Sequence, residues 1–128
     1  MKRICLSAVI AIVLMLSIIP IIYGQKSTEQ YIPIGKSPGI TRKYSMMGEI
    51  EQYDPATKSL TVTSSSGKTG MKVTDETRIY LDRSKLRQRN IKGNFSDLQK
   101  GRKVEVKYKD PQNKTTADWI KIEISGGG

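Results

Sequence analysis

The pattern of apolar and polar positions divides the chain into an apolar start, a polar stretch and a longer region of short alternating runs. From Tyr44 onward, apolar residues alternate with polar ones, which is typical of half-buried β-strands. The alternating runs cover 44–53, 60–62, 71–73, 79–81, 104–108 and 117–124. Turn sequences separate several of them: Asp54-Pro55-Ala56-Thr57-Lys58, the hairpin tip Ser64 to Gly70, and Asp110-Pro111-Gln112-Asn113. The pattern therefore predicts six short strands.

Six strands with no convincing helix between them predict an all-β fold. We expect a small six-stranded β-barrel that is closed or nearly closed, because closure removes the exposed edges at which strands aggregate. The step of three between Ala117 and Ile120 in the last run predicts a β-bulge. The residues expected to face the interior are Met46, Ile50, Leu60, Val62, Met71, Val73, Ile79, Leu81, Phe95, Leu98, Val104, Val106, Tyr108, Ala117, Ile120, Ile122 and Ile124.

The apolar start has the order of a secretory signal peptide. Two basic residues precede a long apolar run, a proline breaks this run, and Gly24 offers a small residue for cleavage. We therefore predict that residues 1–24 are a signal peptide and that the rest of the chain is exported to the periplasm or the extracellular space. The alternative is an uncleaved membrane anchor over residues 4–22, which is long enough to cross the apolar core of a bilayer.

A polar segment, residues 25–43, joins the predicted signal peptide to the first strand. It contains two prolines and two glycines among mostly polar residues. This composition is typical of a flexible tether, or of an arm that lies on a protein surface without being a packed element. We assign residues 44–125 to the barrel domain and the three glycines at 126–128 to a disordered tail.

A series of short motifs gives the barrel a family resemblance. The motifs are Gly-Glu-Ile at 48–50, Ser-Leu-Thr-Val at 59–62, Val-Thr-Asp-Glu-Thr-Arg-Ile at 73–79, Asp-Leu-Gln-Lys-Gly-Arg-Lys-Val-Glu-Val at 97–106 and Ala-Asp-Trp-Ile-Lys-Ile at 117–122. In this order they resemble an exported bacterial family of OB-like β-barrels that is catalogued as a domain of unknown function. The resemblance implies an OB-like barrel outside the cytoplasm and no established activity. Arg102 stands where that family usually has an acidic residue.

The composition excludes several classes of active site. The chain has no histidine, and its single cysteine, Cys5, lies in the predicted signal peptide. A Ser-His-Asp relay, a cysteine nucleophile, a disulfide framework and a zinc site built from histidine or cysteine are therefore not available. Glu49 and Glu51 share one strand face, but two carboxylates on an open face are usually solvated. We expect a protein without enzymatic activity, cofactor or bound metal.

The positive charge is concentrated in one third of the chain. Lys and Arg number 22 against 12 Asp and Glu, a formal net charge of +10, and removal of residues 1–24 takes away two cations and leaves +8. Residues 83–114 hold eleven cations and three anions, so this segment accounts for the whole remaining excess. Five of its cations fall between Arg83 and Lys92, where there is no acidic residue.

Clustered arginines and lysines on a rigid barrel predict a surface for phosphate-bearing anions. The candidate anion-binding residues are Arg83, Lys85, Arg87, Arg89, Lys92, Arg102 and Lys103. The expected protein is an exported, non-enzymatic binding or accessory module of the cell envelope, and its partner is an anionic polymer or a membrane surface. The alternative for the same charges is a solvated loop that keeps the protein soluble. No aromatic residue is interleaved with the cations between Arg83 and Lys92, and only Tyr80 is near them in the sequence, which disfavours sequence-specific nucleic-acid binding.

The sequence leaves two further functions open. In the first, the barrel docks on another envelope protein through an apolar patch that includes Met47 or Trp119, because Trp119 is out of phase with the inward isoleucines and is expected to be partly exposed. In the second, the chain carries a soft metal ion, since it resembles in outline small periplasmic copper carriers with an OB-like barrel. Met46, Met47, Met71 and Trp119 are then the candidate ligands, although Met46 and Met71 fall on the inward phase expected for the core.

Overall fold

The structure is a computed structural model that describes residues 28–38 and 43–126. The predicted signal peptide or anchor lies outside the described residues. So do residues 25–27 and 39–42 of the predicted tether and the last two glycines of the tail. Within the part that is described, no helix is long and apolar enough to cross a membrane.

Seven strands form one sheet. They are Ser45–Asp54 (β1), Ser59–Ser64 (β2), Gly67–Lys72 (β3), Arg78–Asp82 (β4), Ile91–Lys92 (β5), Lys103–Tyr108 (β6) and Ala117–Glu123 (β7). The helical segments of the described residues are three 3₁₀ turns, at Glu29–Tyr31, Ser84–Leu86 and Phe95–Asp97. The prediction of an all-β fold is confirmed for the described residues, and all six expected strands are present. The seventh, β5, was missed because two residues are too few to show alternation.

The sheet curls until it nearly closes. The strand order is β3-β2-β1-β6-β7-β4-β5, and all neighbours are antiparallel except β4 and β7. Three strands separate β3 from β7 in this order, yet Lys72 at the end of β3 forms a bridge with Thr116, directly before β7. The main-chain N–H of Lys72 also donates to the Thr115 carbonyl oxygen at 2.7 Å. A flat sheet could not bring these strands together, so the prediction of a nearly closed barrel is confirmed.

The inward-facing positions form one hydrophobic core. Thirteen of the residues expected to face the interior are buried there, and the other four, Met46, Leu81, Phe95 and Ile124, are partly buried and pack against them. Tyr53 joins the same cluster although it was not predicted to do so. The alternation therefore identified the interior correctly, because successive side chains of a strand point to opposite faces.

Two β-bulges bend the strands. Asp118 is an extra residue in β7, because its neighbours Ala117 and Trp119 pair with consecutive residues of β6. This is the bulge that the spacing of the last run predicted. A second bulge at Glu51 lies in β1 opposite β2. Bulges increase the local right-handed twist of a strand, which helps a small sheet to curl.

The hairpin between β2 and β3 has a shorter tip than the sequence indicated. Ser64 pairs with Gly67, so only Ser65 and Ser66 form the turn, and residues 67–70 belong to β3. The polar composition of this segment suggested a longer loop. The backbone hydrogen bonds between β3 and β2 form whether the side chains are polar or apolar. An exposed edge strand can therefore contain residues that are typical of turns.

A test of the close approach of β1 and β2 is available at Gly48. A Cβ atom at this position would overlap the carbonyl oxygen of Thr63 and lie 2.8 Å from Cγ1 of Val62. We expect Gly48→Ala to lower the free energy of unfolding by about 1–3 kcal/mol, since the obstructing atom belongs to the backbone of a packed barrel. Nothing lies within 4 Å of a Cβ at Gly70, so Gly70→Ala is the matched control and should change stability little. Denaturant unfolding measures both, and equal effects would contradict the close approach.

Candidate functional site

The basic segment between β4 and β5 folds into a loop that is held by its own polar groups. The main-chain N–H of Arg83 donates to Oδ1 of Asn90 at 2.8 Å. The guanidinium of Arg83 donates to the Arg89 carbonyl oxygen at 2.8 Å and to Oε1 of Gln88 at 3.2 Å. These bonds connect the two ends of the segment. We call residues 83–92 the basic loop.

A buried carboxylate fixes the start of the basic loop. Oδ1 of Asp82 accepts the main-chain N–H of Ser84 at 2.9 Å, where the 3₁₀ turn begins. Arg87 follows the turn in the left-handed conformation, with a φ of 55°, and its side chain is exposed. The loop thus presents Arg87 to water from a backbone of defined shape.

The five cations of the basic loop have different partners. Nζ of Lys85 lies 3.2 Å from Oε1 of Glu123 in β7. The guanidinium carbon of Arg89 lies over the ring of Tyr31, 4.3 Å from its centroid, in a cation–π contact. Among the described residues, the loop cations without an acidic partner are Arg83, Arg87, Arg89 and Lys92.

Many lysines elsewhere on the barrel are paired with carboxylates. The exposed or half-exposed pairs are Lys58 with Asp75 at 2.8 Å, Lys68 with Glu51 at 2.6 Å, Lys107 with Asp118 at 3.0 Å and Lys109 with Glu76 at 3.0 Å. Each of these lysines has a carboxylate that offsets its charge. The basic loop therefore differs from these regions because most of its charge is uncompensated.

Arg102 and Lys103 lie outside the basic loop, at the end of the barrel where β6 begins and β7 ends. They line a hollow of about 640 Å³ together with Glu49, Gln99, Gly101, Glu123, Ile124 and Ser125. The guanidinium of Arg102 is held in place, because it donates to the Asp97 carbonyl oxygen at 3.0 Å. Glu123 on the wall of the hollow also binds Lys85, so the structure brings Lys85, Arg102 and Lys103 together there. Two carboxylates share the hollow, which is therefore of mixed charge.

Residues 28–38, which we call the N-terminal arm, lie across the outer face of the sheet. The main-chain N–H of Ile34 donates to Oδ2 of Asp82 at 2.9 Å, and that of Gly35 donates to Oε1 of Glu105 at 3.2 Å. This part of the predicted flexible tether therefore makes specific contacts with the barrel. Sequence patterning did not predict them, because the arm contributes main-chain N–H groups rather than a row of apolar side chains.

A fully buried lysine lies beneath the arm. Lys121 is 0% exposed, and its Nζ lies 2.5 Å from Oε1 of Glu29 and 2.8 Å from Oγ of Ser37. The Ser37 hydroxyl also donates to the Glu29 carboxylate. The same ammonium lies 4.5 Å from the ring centroid of Trp119. A buried charge is unfavourable unless it is paired and hydrogen-bonded, so Lys121 depends on the two polar side chains of the arm.

The prediction that Trp119 is partly exposed was wrong, because its side chain is only 2% exposed. It does point away from the core, as its phase in β7 indicated. However, the Lys121 ammonium lies over the Trp119 ring, and Glu29 and Ser37 of the arm bind that ammonium, so both residues of β7 are buried on the outer face as well. Met47 is 49% exposed and remains available for contact with a partner.

The candidate soft-metal ligands are divided between the two faces of the sheet. Met71 is buried in the core and Met46 packs against it. Met47 follows Met46 along β1 and is on the opposite face, as is Trp119, since Lys107 pairs with Trp119 and Glu105 with Met47. In the described ranges, no group of three or more His, Cys, Asp or Glu side chains could hold a metal ion.

The three carboxylates around the arm titrate differently. Burial raises the pKa of Glu105, and its hydrogen bond from Gly35 only partly offsets this. Burial also acts to raise the pKa of Asp82, but hydrogen bonds from Ile34 and Ser84 outweigh it and leave this pKa below its ordinary value. Glu29 behaves like Asp82, since the hydrogen bonds from Lys121 and Ser37 overcome burial and lower its pKa.

No protein-family model and no curated protein matches the chain. Two solved structures are similar to it in outline. One is a Cu(II)-bound variant of CusF from Escherichia coli, with 15% identity, a TM-score of 0.43, and coverage of 62% of this chain and 89% of that chain. The other is the Ag(I) form of CusF, with 15% identity, a TM-score of 0.42, and coverage of 61% and 93%. We draw no function from a likeness at this level.

The opposite pKa shifts of Glu105 and Glu29 predict opposite effects of removing each charge. The pKa of Glu105 is raised above 4.5, so its stabilising contribution is present below pH 4.5 and is lost as the pH rises through the raised value. Glu105→Gln should therefore increase the free energy of unfolding by about 1 kcal/mol at pH 8 and change it little at pH 4.

Glu29→Gln is the contrasting variant. The pKa of Glu29 is lowered, so its contribution is present above the unfolded value and disappears as the pH falls through the folded one. This variant should lose about 1–2 kcal/mol at pH 8, and the loss should shrink below about pH 4. Urea unfolding across this pH range checks both. If the two variants changed stability in the same direction at pH 8, the described environments of the two carboxylates would be incorrect.

Proposed function

We propose that the protein is an exported, non-enzymatic binding module that contacts phosphate-bearing anionic polymers through its basic loop. The observation that carries this proposal is the contrast in charge compensation. Four of the five loop cations have no acidic partner within the described residues and the loop itself contains no acidic residue, whereas Lys58, Lys68, Lys107 and Lys109 are each paired with a carboxylate. Uncompensated charge on one loop produces a local positive potential, which raises the rate and the affinity of association with polyanions.

The shape of the loop supports the same function. Hydrogen bonds from Arg83 to Asn90 and from Ser84 to Asp82 hold the backbone before any ligand binds, so less conformational entropy is lost on association. The cation–π contact of Arg89 with Tyr31 involves no carboxylate, so the guanidinium keeps its charge for a phosphate oxygen. Lys85 and the hollow with Arg102 and Lys103 offer a second, adjoining contact region.

Salt dependence of binding to a short DNA duplex, used as a defined polyphosphate, tests the proposal. The logarithm of the association constant should fall with the logarithm of salt concentration by about 0.9 for each phosphate neutralised. Substitution of Arg87, Arg89 and Lys92 by Gln removes three unpaired cations. This triple variant should bind more weakly and flatten the slope by about two to three units.

The matched control removes the same charge from paired lysines. Lys58, Lys68 and Lys109, each with a carboxylate partner, are replaced by Gln in a second triple variant, which should keep a slope close to that of the unchanged protein. Equal flattening in both triple variants would mean that only net charge matters, and the assignment to the basic loop would fail. An unchanged slope in the loop variant would have the same consequence.

Carriage of a soft metal ion is the alternative that a direct measurement should settle. The CusF structures hold Cu(II) and Ag(I), but the methionines of this chain are divided between two faces of the sheet. Titration with Cu(I), followed by the fluorescence of the single tryptophan, should therefore give no saturable change. A saturable change that is lost in Met47→Leu and kept in Met71→Leu would favour carriage at the outer face.

A further inference from the structure

The sheet face beneath the N-terminal arm is more deeply buried than the arm that covers it. Its buried side chains are Tyr80, Asp82, Glu105, Trp119 and Lys121, each at most 5% exposed. In contrast, every residue of the arm is half-buried or exposed. A segment that is integral to a core buries its own side chains as well. The arm instead lies on this face in the way that a peptide ligand lies on a receptor.

The groups on this face match the chemistry of a peptide segment. Lys121 offers an ammonium to a carboxylate, a role that Glu29 fills at 2.5 Å. Asp82 and Glu105 accept main-chain N–H groups from two consecutive residues of the arm. An acidic side chain followed at a distance by two free amide N–H groups is a combination that a peptide supplies and that a small anion does not.

Removal of the arm would leave the polar groups of this face without their hydrogen-bond partners. Water would have to solvate Lys121, Asp82 and Glu105, and it would reach the Trp119 ring that lies beside the Lys121 ammonium. Exposed aromatic surface beside an unpaired cation favours rebinding of a carboxylate-bearing segment over an empty face. The arm makes its polar contacts through backbone N–H groups, one carboxylate, one hydroxyl and one amide, so another sequence can reproduce most of them.

We propose that this face is a peptide-binding site with Lys121 as its carboxylate receptor. The N-terminal arm is the occupant within the chain, and the ligand is an acidic segment of another protein that replaces it. This site differs in its chemistry from the adjoining anion-binding surface of the basic loop, because it selects a carboxylate in a buried setting rather than phosphates in water. The two meet at Asp82.

An exchange experiment tests the site in a protein that has folded intact. Residues 39–42 are replaced by the recognition sequence of a site-specific protease, and the purified chain is cut after folding. A fluorescein-labelled peptide with the sequence of residues 28–38 is then added. It should replace the cut arm saturably, as measured by anisotropy. Trp119 is the single tryptophan, so its emission should shift to the red when the arm is washed away and return when the peptide binds.

Two comparisons make the test specific for the carboxylate. The same peptide carrying Glu29→Gln should bind the cut protein at least about tenfold more weakly, because it lacks the charge that pairs with the buried ammonium. The uncut protein should bind the native peptide about 100-fold more weakly than the cut protein, since the tethered arm competes at a millimolar effective concentration.

A barrel variant gives the reciprocal control. In cut Lys121→Met, the native peptide and its Gln counterpart should bind equally, while circular dichroism shows an unchanged β spectrum. The comparison of the two peptides on the unchanged barrel does not depend on the folding of this variant. The proposal is overturned if the two peptides bind the unchanged barrel equally, if neither binds, or if the barrel unfolds when the cut arm leaves.

Discussion

The buried ammonium of Lys121 determines how the outer side of the barrel is organised. β7 is an interior strand of the sheet, and its inward residues fill the core. Its outward residues would face water in a bare barrel, yet Lys121 is completely covered. A charge in that position requires an anion and a hydrogen-bond acceptor close by, and Glu29 and Ser37 of the arm provide them. The position of the arm, the burial of Trp119 and the raised pKa of Glu105 all accompany this one pairing.

The fold was predictable from the sequence to the extent that it depends on alternation. Inward positions such as Ile50, Val104 and Ile120 recur at every second residue, and the irregular step before Ile120 located the bulge at Asp118. Features set by pairing partners escaped prediction. β5 has only two residues, and the start of β3 is a polar edge, so in both places the strand exists because a neighbour offers backbone hydrogen bonds.

The candidate site was predictable only in part. Charge counting located the basic loop, but it could not show which cations are paired, because the partner of Lys85 is Glu123, which is distant in the sequence. Strand phase placed Trp119 on the outer face correctly, although phase does not tell whether another segment covers that face. In the Trp-Ile-Lys pattern of β7, an aromatic residue and a cation are both out of phase with the core. This pattern is the sequence signal that could have indicated that the outer face of β7 is also covered.

Asp82 connects the two surfaces of the protein. One of its oxygens accepts Ile34 of the arm and the other accepts Ser84 of the basic loop. Tyr31 and Gln30 of the arm also contact Arg89 and Asn90. In the proposed arrangement of two binding sites, the Asp82 carboxylate belongs to both. A ligand at one site that moved this carboxylate would change the affinity of the other site, and by thermodynamic reciprocity the factor would be the same in both directions.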